Sequence, residues 1–313
     1  MLDMTASSNR AAFTPRSSTP QPLRGTRILS LALNLPGPAA LMRCRQMGAN
    51  CVKLEPPPTA GAALGATSDP MAFYSRLAYD ELQQGLRLVV ADLKTEKGQK
   101  ILHRELAKAD VLLTSFRPSA LRKLGLTWAA LKKLYPTLSL VSIVGGPGAQ
   151  AELPGHDLTY QAENDLITGL EPPATLYADM GGALMTSEAV LSAVLVQRQK
   201  GKGNVVEVSL SEAARFLALP RNWGLTQAGT VLGGAHAGYR VYPCQDGRVA
   251  MAALEPHFAK TLCAAAGVAD ASLASLQLPA TRQLIADYLL TKTRKALDEL
   301  SLEKDIPLHT MQK

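Results

Sequence analysis

From Leu23 onward the chain alternates short apolar runs with longer amphipathic stretches, and Gly or Pro marks most of the junctions. Apolar runs too short for a helix and bounded by turn residues predict buried strands, while spacings of three and four predict helices. "GTRILSLAL" is the first such run and ends at "NLPGPAA". Ala39 to Met47 has helical spacing and stops at Gly48, which suits the left-handed turn beyond a helix C-terminus. "NCVKLEPPP" is a second strand, cut off by prolines. Strand, turn, helix, glycine, strand is the order of a βαβ unit and predicts parallel pairing.

The alternation continues. "LRLVVADL", "DVLLTSF" and "LSLVSIVG" read as strands. "TEKGQKILHRELAKA" is an amphipathic helix with Thr95 as its N-cap, and "TWAALKKLYP" is a helix opened by Thr127 and closed before Pro136. Ala183 to Gln199 reads as a long apolar helix ended by "KGKGN", followed by "VVEVSL" as a strand and "SEAARFLAL" as a helix. This order predicts an α/β fold with a doubly wound, Rossmann-like parallel sheet in a large domain. From Gly233 the texture changes. "GGAHAGYRVYPCQDGRVAMAAL" is a hairpin pattern around a "QDG" turn, and a helical remainder runs to Lys313. The expected organisation is a flexible tail over 1–22, a large domain over 23–215, a linker over 216–237 and a smaller α+β domain over 238–313. The tail is rich in Ser, Thr, Pro and Arg, with Asp3 its one acid. It lacks the apolar segment of a secretory signal, and its composition is compatible with a transit peptide.

Composition narrows the function classes. With 47% hydrophobic and 19% charged residues, the 313-residue chain is neither disordered nor fibrous. Aromatics, at 5%, offer little surface for stacking nucleic-acid bases. The net charge of +7 is spread along the chain without a dense block, and no zinc-finger, RRM or KH signature occurs. An anionic small molecule suits that charge better than nucleic acid. Apolar runs such as Ala189 to Val196 fall short of the roughly 20 residues of a membrane span, so no membrane partner is expected. Cys44, Cys51, Cys244 and Cys263 form no CxxC pair and read as reduced structural thiols, which suggests a cytoplasmic location. No metal site is expected. There is no P-loop and no GxGxxG; "GGPGAQ" at Gly145 is a glycine-rich turn after a strand.

Two stretches carry candidate chemistry. "PGHDLTY" sets His156 beside Asp157, just after the loop that follows a strand. In "LYADMGGALM", Asp179 ends a strand-like run and Gly181-Gly182 opens the long helix. Both stretches fall where open α/β sheets bind ligands. At a helix N-terminus Asp179 would be held ionised by the helix dipole, and the free N–H groups would suit an oxyanion. The plainer readings are a loop histidine bonded to its neighbours and a simple helix N-cap. His236 and His257 read as surface histidines.

The stretches "LRGTRILSLALNLPGPAALMRCRQMGANCVKLEPP", "VVADLKTEKGQKILHRELAKADVLLTSFRPSALRKLGL", "GHDLTY", "ADMGGALM", "QRQKGKGNVVEVSLSEAA", "YRVYPCQDGRVAMAALEPHF" and "DIPLHT" follow one another in a specific order. In that order they resemble the family III CoA-transferase/racemase superfamily, on its α-methylacyl-CoA racemase side. The resemblance implies an interlocked homodimer and an acyl-CoA substrate, with coenzyme A entering as part of that substrate and no separate cofactor. It implies catalytic roles for Asp179, from the family's "GD-x-G-G-G" stretch, for His156, from "GHD", and for Glu255, from "EP-x-F", the last supplied by the other subunit. It implies CoA contacts at Arg117 and, as further candidates, Arg87 and Lys94, with Gly181 and Gly182 at the oxyanion; Arg122 and Lys123 read as a solvated helix face. The implied reaction is inversion at the carbon α to the thioester by two-base proton transfer. The alternatives are CoA transfer with Asp179 as acyl carrier, or a CoA-binding homologue without activity. The chain departs from the family pattern at Gln83 and Gln84, where cations are usual, and at "EPPPTAGAALG", where "EPP-x-G-D" is usual. Relatives continue past "DIPLHT" with a segment that returns to the large domain, which is not among these residues.

Overall fold

The computed structural model describes residues 20–59, 61 and 66–312. Residues 1–19 of the expected tail, and part of the "EPPPTAGAALG" loop, lie outside the described residues. The chain forms two units, residues 1–217 and 218–313.

The first unit is built on six parallel strands: β1 (Arg27–Ser30), β2 (Asn50–Glu55), β3 (Arg87–Val90), β4 (Val111–Thr114), β5 (Ser139–Val144) and β6 (Val205–Ser209). Their spatial order is β3-β2-β1-β4-β5-β6. The chain therefore winds outward one way from β1 and the other way from β4, and the winding reverses between those two strands. Adjacent residues of a strand face opposite sides of a sheet. Ile28 accordingly packs with Leu41, Val111, Val141, Val190 and Val194 on one side, and Leu29 with Leu102, Leu106, Leu112 and Leu140 on the other. Both faces are covered, which is why the strands read as unbroken apolar runs rather than alternating ones.

The helices of this unit are α1 (Pro36–Gln46), α2 (Pro70–Tyr74), α3 (Arg76–Gln83), α4 (Glu96–Leu106), α5 (Pro118–Lys123), α6 (Trp128–Leu134), α7 (Asp157–Glu163), α8 (Tyr177–Lys200) and α9 (Leu210–Leu217). Helix α1 starts earlier than its apolar spacing suggests, because Pro36 and Pro38 sit in its first turn, where the missing N–H groups cost nothing. Gly48 follows its end at φ +95°. The expected caps form: Thr95 accepts from Gly98 N–H at 3.0 Å and Thr127 from Ala130 N–H at 3.4 Å. Helix α8 corrects the expected boundary at Ala183; it begins at Tyr177, so "YADMGG" is helical. By length and composition alone α8 is apolar enough to cross a membrane, contrary to the reading of its shorter runs. In this fold its Ala189, Val190, Ala193 and Val194 are core residues of the sheet layer.

The second unit contains α10 (Leu219–Asn222), a π-type turn (Val231–Ala235), β7 (Tyr239–Cys244), β8 (Gly247–Ala252), α11 (Pro256–Ala265), α12 (Leu273–Leu276), α13 (Pro279–Leu290), α14 (Arg294–Lys304) and β9 (Leu308–Met311). Residues 218–237, expected as part of a linker, group with this unit. The expected hairpin is β7-β8, with Tyr242 opposite Val249. The expected helical remainder gives way at its end to β9, which pairs antiparallel with β8 through Met251 opposite Leu308. That pairing is non-local and has no turn signal to announce it. His236 is not a surface residue. It is 2% exposed, its Nδ1 accepts from Gly238 N–H at 3.0 Å, and burial lowers its pKa. All four cysteines are buried and free.

Candidate active site

The loops after β1, β4 and β5 meet where the winding of the sheet reverses, the position at which open α/β sheets bind ligands. They enclose a cavity of about 180 Å³. Arg117, His156, Tyr160 and Asp179 all line it, with Asn34, Ser115 and Gly145. Three sequence candidates, Arg117, His156 and Asp179, thus come together.

Each is held by its own local structure. Arg117 is the N-cap residue of α5 and is exposed. His156 is the exposed N-cap residue of α7, where Thr159 Oγ1 accepts from its backbone N–H at 3.1 Å and donates to its carbonyl at 2.7 Å. The strand-to-helix loop before His156 is clasped to α5 by Glu152, whose carboxylate accepts from Ser119 N–H and Ser119 Oγ, both at 2.7 Å. Those hydrogen bonds hold the Glu152 carboxyl below its ordinary pKa.

Asp179 lies in the first turn of α8 and is 8% exposed. Its own N–H donates to Asp157 Oδ1 at 3.0 Å, and Gln161 Nε2 donates to Asp157 Oδ2 at 2.5 Å. The start of α8 is therefore already occupied by a buried carboxylate. Burial, and then the negative charge of Asp157, push the Asp179 pKa up to about 7. This runs against the expectation that the helix dipole keeps Asp179 ionised; desolvation and a like charge both favour the protonated form. Asp157 is a site residue that the sequence reading set beside His156 without a role.

Gly181 and Gly182 are also corrected. They lie one turn inside α8, past Met180, whose N–H already donates to Leu176 in the helical ladder at 3.0 Å. Neither offers a free N–H to an oxyanion. A Cβ at Gly181 would stand 2.9 Å from Leu217 Cδ1, and one at Gly182 would collide with Leu210 Cδ2. The two glycines let α9 approach α8.

Arg87 opens β3 and so lies at the N-terminal end of the sheet, away from the cavity, where it pairs with Glu105 alongside Arg27. That placement removes it from the CoA candidates. Lys94 is exposed at the C-terminal side, in a groove of about 540 Å³ lined also by Leu93, Phe116, Leu124 and Lys123. Lys123 was expected to be only a solvated helix residue. Phe116 faces this groove while its neighbours Ser115 and Arg117 line the cavity. Glu255 is the exposed N-cap residue of α11, in the second unit. Among the described residues no three His, Cys, Asp or Glu side chains gather as a metal-binding set.

The loop after β1 is anchored from below. Lys53, fully buried, donates to Asp69 Oδ2 at 2.5 Å and pairs with Glu55 at 2.7 Å. Asp69 Oδ1 accepts from Asn34 N–H at 2.9 Å and from Met71 N–H at 3.0 Å. Asn34 has φ +68° and lines the cavity, so this network fixes part of the cavity wall.

The sequence model of CoA-transferase family III matches residues 23–313. The chain is 29% identical over 294 residues to the α-methylacyl-CoA racemase of Mus musculus, covering 87% of this chain and 73% of that protein. It is 32% identical over 206 residues to the cinnamoyl-CoA:phenyllactate CoA-transferase of Clostridium sporogenes, covering 61% of this chain and 50% of that one. Its fold is similar to that of a CAIB/BAIF family protein from Brucella suis, with a TM-score of 0.74 at 24% identity over 94% of this chain and 85% of the other.

Proposed function

The chain belongs to CoA-transferase family III, and from that premise we propose that it is an acyl-CoA racemase or epimerase acting at the carbon α to the thioester. The observation that carries this reading is the pairing of His156 with a buried Asp179, whose pKa stands near neutrality, in one cavity. The α-proton of a thioester is weakly acidic, and inversion needs a base on one face and an acid on the other. A carboxyl that exchanges its proton near pH 7 serves either role. In one direction the Cα–H bond breaks and its proton passes to Asp179. The electron pair forms the Cα=C bond of the enolate and displaces the carbonyl π pair onto oxygen. His156 then returns a proton to the opposite face, and the reverse direction exchanges the two roles.

The same reading gives coenzyme A a place. Its phosphates would be met by Arg117 at the cavity mouth and by Lys94 and Lys123 along the neighbouring groove. We further propose a homodimer; light scattering at micromolar concentration that gives twice the chain mass supports it, and the mass of one chain contradicts it.

Relatives that are CoA-transferases favour a second reading, in which Asp179 attacks the thioester and carries the acyl group as an anhydride. One experiment separates the two. Each enantiomer of 2-methylbutanoyl-CoA is incubated with the protein in D2O, with and without a free carboxylic acid. Deuterium at Cα with loss of optical purity supports the racemase. CoA transfer to the acid without exchange at Cα overturns it in favour of the transferase.

A further inference from the structure

With Gly181 and Gly182 built into the α8 ladder, the donors expected for the enolate oxygen are gone, and the cavity must supply another. Tyr160 is its one tyrosine. The phenol is closely confined: a Cβ at Gly155 would stand 2.6 Å from the hydroxyl, and one at Gly145 would collide with it. Three other tyrosine hydroxyls are committed, Tyr79 to Glu55, Tyr135 to His103 and Tyr242 to the Ala237 carbonyl. The Tyr160 hydroxyl has no hydrogen-bond partner among the described residues, yet it lines the same cavity as Asp179 and Arg117.

We propose that Tyr160 is a further catalytic residue, whose hydroxyl donates a hydrogen bond to the acyl oxygen of the bound thioester. The proposal rests on the enolate reading above. Its chemistry is a hydrogen bond alone: the Cα proton goes to Asp179 or His156, the displaced pair rests on the acyl oxygen, and the phenol keeps its proton. Burial and then the nearby Asp179 charge raise the Tyr160 pKa, while Arg117 opposes them, so the group remains an O–H donor at neutral pH. A donor of this kind, fixed before the charge develops, stabilises the enolate without reorganisation. Gly145 and Gly155 are the residues that make room for it, which gives the glycine-rich turn after β5 a purpose other than cradling phosphate.

The test uses Tyr160→Phe, which keeps the ring and removes only the hydroxyl. The probe is 2-methylpropanoyl-CoA labelled with carbon-13 at the thioester carbonyl. Two quantities are read: the carbonyl stretching frequency of the bound probe, and the rate of deuterium entry at Cα in D2O. The native protein should move the carbonyl band to lower frequency, and the variant should lose most of that shift. The variant should also lose roughly 10²-fold in kcat, the scale of one oxyanion donor, with KM for the probe and affinity for free CoA little changed. Unchanged CoA affinity also shows that the variant is folded. A variant with the native band position and exchange within about threefold of native overturns the role of Tyr160 and leaves the racemase reading standing. A native protein that binds the probe without exchanging its α-proton fails the racemase reading instead, and the band shift still decides for or against the hydrogen bond.

Discussion

Two buried charge clusters lie at the C-terminal end of the same sheet and have been solved in opposite ways. At the end of β2, Lys53 is fully buried between Glu55 and Asp69, and each carboxylate has further donors: Tyr79 and Thr67 on Glu55, Asn34 and Met71 on Asp69. Across the winding reversal, Asp179 is nearly as buried but is set against a second carboxylate, Asp157. The first cluster is paired and bonded throughout, as structural buried charge must be. The second leaves an acid in an environment that disfavours its charge. Such an arrangement costs stability and is found where a proton has to be held and released near neutral pH.

The largest effects are expected from replacing the group at the centre of each cluster. Asp179→Asn should reduce α-proton exchange from one enantiomer by 10²–10⁴-fold, the usual contribution of a general acid/base, while His156 still exchanges the other. The same substitution should stabilise the fold. Asp179 holds its proton more tightly folded than unfolded, with a pKa of about 7 against an ordinary 3.8. Folding therefore takes up a proton between those values, stability falls as pH rises through that window, and the full penalty remains above it. Denaturation at about pH 8 should show the variant more stable by roughly 2–4 kcal/mol, with the gain vanishing below about pH 4. Lys53→Met should do the reverse. It leaves two buried carboxylates facing each other without their cation, and urea unfolding should register a loss of about 3–5 kcal/mol. If Lys53→Met were neutral in stability, or Asp179→Asn strongly destabilising, the contrast between the clusters would not hold.

Smaller effects are expected at Arg117 and Asp157. Arg117→Ala should weaken CoA binding by about 1.5–3 kcal/mol in calorimetry, as expected for a charge-assisted contact to phosphate. The native affinity should fall with added salt, since Arg117 is exposed. Asp157→Asn keeps an acceptor for the Asp179 N–H and removes the like charge. The acidic limb of the pH–rate profile for exchange should then move to lower pH, with little change at the plateau.

The contrast also marks what the sequence could announce. The strands β1, β4 and β5 were legible because sheets covered on both faces make continuous apolar runs, and Thr95 and Thr127 because capping is a local interaction. The start of α8 was not, since Asp179 and two glycines are weak helix formers; the packing of α9 over Gly181 and Gly182 overrides that preference. Asp69 meets Lys53 across a sequence separation of 16, and β9 meets β8 across most of the second unit, distances at which local pattern carries no information. The resemblance offers Arg87 as a CoA contact, and only the strand order shows that it opens β3 at the end of the sheet opposite the cavity. His156 and Asp179 could each be singled out by residue type and setting. That they share one cavity depends on which two strands flank the reversal.

The most direct test is the titration of Asp179 itself. Carbon-13 NMR of the aspartate carboxyl groups, with Asp179→Asn used to assign the resonance, should give a midpoint of about 7 in the protein without ligand. A midpoint below about 5 would place Asp179 among ordinary surface carboxylates and would contradict its reading as an uncompensated buried acid.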